Sequence, residues 1–388
     1  MQENNTQLNT LEILKNLLGK LNKKEKDILS RRFGFKKSKK ETLEAVGKLH
    51  NLTRERIRQI ENASINKLIE LKELENNLLD LKEKTEELLK EHGGLMEKDY
   101  LFHLLNNNSP IDRNSDEYEI EKNHYDFLLS RLLSDNFEEI KNSDKFKQAY
   151  KLKQETLEHM EEMAHEVLNK IEELKETYRT DDLINIIIKE SEAYKKHEPK
   201  YLADGELDVS SYWADDLFDE DQGLVNKYKG LYSLLQALKE VEQNKFGFWG
   251  RHDWGEVKPK TINDKIYLIL KNENKPLHFV DIAKRINEVG FDKKVANPAT
   301  VHNELILDEK YVLVGRGIYG LKEWGYKEGI VLDVIKQIMA EQGEPMTKEE
   351  VVEKVLENRL VKRTTINLAL MNKEVFEKTS DGKYALKA

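Results

Sequence analysis

Leu43, Val46 and Leu49 recur at three-residue steps, and a second apolar stripe of Ile57, Ile60 and Leu68 begins after the break Asn51-Leu52-Thr53. This spacing predicts two short amphipathic helices, with Thr42 and Thr53 as their N-caps. Two short helices joined by a tight turn form a helix-turn-helix. Arg54, Glu55, Arg58 and Gln59 fall opposite the Ile57/Leu68 stripe, in the first two turns of the second helix. A recognition helix meets base edges there: Arg suits guanine, Gln suits adenine and Glu accepts from cytosine. Lys36, Lys37, Lys39 and Lys40, just upstream, form a loop able to reach phosphates, and Thr53 is counted with the DNA-binding residues. The same pattern also fits a solvated helix on a small bundle, and periodicity alone does not separate the two.

Further along, apolar positions at Leu152, Met160, Met163, Val167, Leu168 and Ile171 predict one long helix within 151–180. The last third of the chain is self-similar. "KPLHFVDIAKRI" from Lys275 aligns with "EPMTKEEVVEKV" from Glu344, "TVHNEL" from Thr300 with "TINLAL" from Thr365, and "GIYGLK" from Gly317 with "GKYALK" from Gly382. Strands are expected at 311–314 and 318–321, joined by a Gly315-Arg316-Gly317 turn. Helix, helix, helix and hairpin in that order predict a winged helix-turn-helix. "GFWGRHDW" from Gly247 matches "GIYGLKEW" from Gly317, which suggests another unit ending near Trp254. A fainter echo lies in "GLMEKDYLFHLL" from Gly94 and "YDFLLSRLLSDNFEEI" from Tyr125.

The expected fold is therefore mainly α: an N-terminal helix-turn-helix module followed by tandem winged helices with small β-wings. The expected divisions are 1–19 as a tail or helix, 20–72 as the helix-turn-helix module and 73–150 as a winged-helix-like unit. A second such unit follows at 151–258, with an acidic insertion at 200–223, then winged helices at 259–327 and 328–388. Trp213 and Phe218 in the acidic insertion could form a partner-binding loop or pack back on their own domain.

Charge sharpens this picture. The 388 residues carry a net charge of -9, yet Lys20 to Lys72 holds 16 Lys+Arg against 7 Asp+Glu. A basic module on an acidic body points to an anionic partner for the module. The absence of cysteine excludes disulfides and thiolate zinc sites and fits a reducing cytoplasm. The N-terminal residues lack the order of a signal peptide, and no apolar run approaches the ~18 residues of a membrane span. No phosphate-binding Gly-x-x-x-x-Gly-Lys loop or Gly-x-Ser-x-Gly elbow is present. His159 and His165 are six residues apart, the wrong spacing for a helical zinc pair, and read as surface decoration. No enzyme, cofactor or metal is expected.

"LNKKEKDILSRRFGFKKSKKETLEAVGKLHNLTRERIRQIENASINKLIEL" closely resembles region 4 of sigma-70-family transcription initiation factors. The resemblance implies a module that reads the promoter -35 element in double-stranded DNA and docks on the RNA polymerase β-flap. It carries Arg54, Glu55, Arg58 and Gln59 over as base-contacting or base-adjacent residues, and makes Arg56 and one of Arg31 and Arg32 phosphate contacts. Leucines and Phe33 in its upstream half would pack the module and offer a polymerase-docking surface. Ala63, Asn66 and Ile69 depart from the basic continuation common in the family, with Lys67 the only basic side chain between Glu61 and Glu70. No segment resembles region 2, which melts promoters, so a sigma factor that opens promoters unaided is not expected.

The stretch "PLHFVDIAKRI", "NPATVHNELILDEKYVLVGRGIYGL" and the Trp324 end resembles the HARE-HTH domain, a family tied to nucleic acid or polymerase rather than to a reaction. In such a unit Lys293, Lys294, His302, Asn303 and wing Arg316 would make contacts, with Lys362, Arg363, Thr364 and Asn367 as equivalents in the last unit. The combined expectation is a cytoplasmic, nucleoid-associated transcription factor working with RNA polymerase. The alternative is a polymerase-independent DNA-binding or architectural protein, of the kind associated with restriction systems.

Overall fold

The computed structural model describes residues 9–106, 112–113, 115–141, 143–203, 207–213 and 217–387. The expected N-terminal tail lies outside these residues as far as position 8, as do parts of the acidic insertion. The chain divides into two compact units, Met1–His252 and Asp253–Ala388.

The first unit opens with α1 (Thr10–Gly19), α2 (Lys23–Phe33), α3 (Leu43–His50) and α4 (Arg54–Ile69). Ile28, Val46 and Ile57, all fully buried, form the centre of this small bundle, with Leu43, Leu52 and Ile60 around them. A capping box starts α2: the Asn22 side chain accepts from the Glu25 amide and the Glu25 side chain accepts from the Asn22 amide. Gly34 ends it in the left-handed conformation at φ 72°.

After this bundle one order of elements recurs four times: helix, strand, helix, helix, strand, strand. The first repeat holds α5 (Leu74–Glu91), β1 (Leu95–Glu97), α6 (Lys98–Leu105), α7 (Asp116–Phe127), β2 (Phe137–Ile140) and β3 (Ala149–Leu152). A π-helical turn, Leu128–Leu132, extends α7. The second holds α8 (Glu158–Leu174), β4 (Tyr178–Arg179) and α9 (Thr180–Glu190). An insertion bearing α10 (Glu192–His197) and α11 (Gln222–Lys227) follows, then α12 (Lys229–Ala237), β5 (Val241–Gln243) and β6 (Phe248–Arg251).

In the second compact unit, the third repeat comprises α13 (Ile262–Glu273), β7 (Leu277–His278), α14 (Phe279–Val289), α15 (Pro298–Leu307), β8 (Tyr311–Gly315) and β9 (Ile318–Leu321). The fourth comprises α16 (Val331–Gln342), α17 (Lys348–Asn358), α18 (Arg363–Leu370), β10 (Phe376–Lys378) and β11 (Tyr384–Leu386). Sheet order repeats as well: β1-β3-β2, β4-β6-β5 and β7-β9-β8. In the fourth repeat Met346 bridges to Tyr384 and so stands in for the first strand.

Three expectations change here. The long helix expected over 151–180 is shorter: Leu152 lies on β3 and pairs with Phe137, and α8 begins at Glu158. Because β3 runs through the expected 150/151 boundary, the first repeat ends after Leu152. The alternative left open for the acidic insertion resolves toward packing: Trp213 and Phe218 lie inward. Trp213 is buried edge-on to Tyr232 at 5.7 Å, and Phe218 covers the backbone of Gly247. His159 is no surface residue: it is buried and donates from Nε2 to the Gly93 carbonyl at 3.0 Å.

Candidate nucleic-acid interface

The turn between α3 and α4 is built by three residues. Asn51 closes α3 at φ 52°, a left-handed position that Asn tolerates better than most residues. The Leu52 amide then returns to the Gly47 carbonyl at 2.9 Å. A Cβ at Gly47 would lie 2.7 Å from the Leu52 oxygen, so glycine is required. The Thr53 hydroxyl accepts from the Arg56 amide at 3.2 Å and caps α4. Thr53 thus positions the helix, and its hydroxyl is already engaged.

Arg54, Glu55, Arg56, Arg58 and Gln59 are all exposed on the first two turns of α4, while Ile57 is fully buried beneath them. The structure brings these five together as one polar face. Arg58 donates to both Glu55 oxygens, at 2.9 and 2.6 Å, and Arg56 donates to Gln59 at 3.0 Å. The Arg58 guanidinium holds the Glu55 carboxyl below its usual range, with Gln59 and Arg54 adding to the effect. The face therefore offers donors and an ionised acceptor held in a fixed relation to one another.

Arg31 and Arg32 are used differently. Arg31 pairs with Asp27 at 2.9 Å and Glu41 at 3.1 Å. Arg32 reaches Glu61 at 2.6 Å and also donates to the Glu41 carbonyl. Arg31 thus ties α2 to the 41 loop, and Arg32 ties it to that loop and to α4, so both guanidiniums are already engaged. Lys36, Lys37 and Lys39 are exposed, but Lys40 is taken by Asp126 at 2.6 Å.

The 33–40 segment of the module is covered by α7. Asn123 donates to the Ser38 carbonyl at 3.0 Å. Buried His124 lies 3.3 Å from the Phe35 carbonyl through Nε2 and 3.2 Å from the Thr10 hydroxyl through Nδ1. A carbonyl can only accept, so Nε2 carries the proton, and burial pushes the imidazole pKa down and keeps it neutral. Phe127 packs on Phe33 and Phe35 with ring centroids 4.7 and 5.0 Å away. Phe33 is thus buried within the chain's own junction and does not present the open docking surface expected of it. Burial works against the charge on Asp126, but Lys98 and Lys40 outweigh it and hold the carboxyl at about 2.

In the third repeat, Lys293, Lys294, Asn303 and Arg316 are exposed. His302 is half-buried. It lies 4.5 Å from the Phe279 ring and 5.8 Å from Tyr319, inside an aromatic cluster that also includes His278. In the fourth repeat Lys362, Arg363 and Thr364 are exposed, and Asn367 is half-buried. Among the described residues no helix is long and apolar enough to cross a membrane.

The family description "Sigma-70, region 4" matches residues 17–69. Among curated proteins, the RNA polymerase sigma factor SigA of Microcystis aeruginosa is 46% identical over 57 residues, covering 15% of this chain and 14% of that protein. The RNA polymerase principal sigma factor HrdD of Streptomyces viridifaciens is 46% identical over 63 residues, covering 16% and 18%. The chain thus spans less than a fifth of the length of these relatives. Residues 17–69, with their capped turn and open α4 face, are a sigma-70 region 4 domain.

Proposed function

We propose that this protein is a DNA-binding transcription factor that modulates initiation by RNA polymerase. In this reading α4 enters the major groove of a -35-like element. Arg54, Glu55, Arg58 and Gln59 meet base edges, and Arg56, with Lys37 and Lys39 from the neighbouring loop, meets phosphates. The observation that carries the reading is the open, internally bonded face of Arg54 to Gln59 on a region 4 domain. The recurring helix-strand-helix-helix-strand-strand units are read as winged helices, the third of the HARE-HTH type. Replacing Arg58 with Ala tests the readout: affinity for a -35-like duplex should fall by roughly 1–3 kcal/mol, with little change on scrambled DNA. An equal loss on both would remove the base-reading claim.

A second reading has its own support. Burial of Phe33 and Phe35 under α7 closes a side of the module that a polymerase subunit was expected to meet. A polymerase-independent DNA-binding protein fits that closure. Affinity purification of the tagged chain after nuclease treatment separates the two, because only the first reading predicts that core polymerase subunits accompany it.

A further inference from the structure

The third helices of the four repeats differ in what they bury. α12 buries eight of its nine residues. Its Lys229 has no exposed side-chain surface and pairs with Glu91 at 2.6 Å, and Ser233 donates to the Leu95 carbonyl, so α12 is committed to the first repeat. α7 is committed to the region 4 domain in the same way. α15 buries only Val301 and Leu305, and α18 only Ile366 and Leu370. The outer faces of α15 and α18 are therefore left to solvent within their unit.

The third and fourth repeats are also joined along a strand edge. The Leu360 amide donates to the Val314 carbonyl of β8 at 2.8 Å. Buried Arg359 donates to the carbonyls of Leu313 and Gly329. A Cβ on Gly315 would lie 2.7 Å from the Leu360 oxygen, so only glycine permits this approach. Arg316 follows Gly315 at the turn between β8 and β9, and Lys362 and Arg363 follow Leu360 at the start of α18. At 3.8 Å per peptide step, the Arg316 and Lys362 backbones lie within about 16 Å of each other. All three side chains are exposed. Residues 253–388 carry 23 Lys+Arg against 22 Asp+Glu, so no general acidity opposes an anion here, in contrast to 73–252 with 24 against 42.

We propose that Arg316, Lys362 and Arg363 form one composite basic edge, assembled from the hairpin of the third repeat and the third helix of the fourth, that binds the phosphate backbone of double-stranded DNA. Each strand carries one charge per 3.4 Å of axis, so successive phosphates lie within reach of these long side chains. Thr364 and Thr365, exposed on α18, add neutral hydrogen-bonding groups of the kind that contact phosphate and sugar. The edge positions DNA without reading its sequence and acts separately from the α4 face.

The test uses the full chain bearing Arg54→Ala and Arg58→Ala, which removes the proposed base readers, and a fluorescent duplex of scrambled sequence, about three helical turns long. Binding is followed by anisotropy from low to moderate salt. Adding Arg316→Ala, Lys362→Ala and Arg363→Ala should reduce the slope of log affinity against log salt by about 2–3, near 0.9 for each phosphate that is no longer neutralised. The control set Lys336→Ala, Lys348→Ala and Lys373→Ala removes the same charge from elsewhere in the unit and should change the slope by less than half as much. An unchanged slope in the first set, or an equal change in the control, overturns the composite edge. Neither result bears on Arg58 readout, which the matched-duplex experiment decides.

Discussion

α4 is the last helix of the region 4 domain and α7 the third helix of the first repeat, and they do opposite things. α4 turns Arg54, Glu55, Arg56, Arg58 and Gln59 outward and keeps Ile57 inward. α7 turns Asn123, His124, Asp126 and Phe127 onto the 33–40 loop of the region 4 domain. Side-chain chemistry decides the use of each. Amide, neutral imidazole and phenyl groups match carbonyls and rings, whereas arginine, glutamate and glutamine side chains gathered on one exposed face match base edges and phosphates. In this chain one helix therefore covers the domain that presents the other.

The comparison can be broken most severely at Phe127. Replacing it with Ala leaves a cavity between Phe33 and Phe35, and loss of a buried phenylalanine of this kind costs about 3–5 kcal/mol. Urea unfolding should show that loss. A far smaller loss would mean that the aromatic contact contributes little to holding α7 on the domain. Asp126→Asn comes next. The folded carboxyl at about 2 lies below its ordinary 3.8, so its stabilisation is present above pH 3.8 and is lost as pH falls through 2. The substitution should cost about 2 kcal/mol at pH 7. The difference from the parent protein should close between about pH 4 and pH 2, and a difference that persisted below that window would assign the effect to packing.

On the α4 side the effects on stability are smaller and those on DNA more selective. Glu55→Ala frees Arg58 from its bidentate partner and should leave the urea unfolding midpoint nearly unchanged, because exposed pairs of this sort contribute little. It should nevertheless alter which base is preferred at one position of the bound duplex. Thr53→Ala removes only the cap and should cost about 1 kcal/mol of stability. Its effect on affinity should be the same on matched and scrambled duplexes. A selective loss would mean that Thr53 touches DNA.

Much of the region 4 domain is legible in the sequence because its signals are local. Leu43 and Val46, the Asn51-Leu52-Thr53 break and Ile57 all lie in one stretch, 43–57. The 311–314 and 318–321 strands are equally local, and the structure places β8 and β9 over them, with β8 one residue longer. The use of α7 is not legible. Asn123 meets Ser38 across 85 residues of sequence and Lys40 meets Asp126 across 86, and nothing in either segment alone announces its partner. Arg31 and Arg32 show the same limit: a pair of arginines beside a basic loop suggests phosphate contacts until Glu41 and Glu61 are brought beside them. His302 is a further case: on α15 it is half-buried against Phe279 and Tyr319, ring contacts that its own helix does not announce. The run from Leu152 to Ile171 merges a strand residue with a helix because apolar spacing over a short stretch fits both.

If the α4 face reads a DNA sequence, selection of duplexes from a randomised pool by the intact protein should enrich a shared -35-like motif. That enrichment should disappear when Arg54 and Arg58 are replaced by Ala. Recovery of unrelated duplexes by the intact protein, or of the same motif by the substituted one, would contradict that reading.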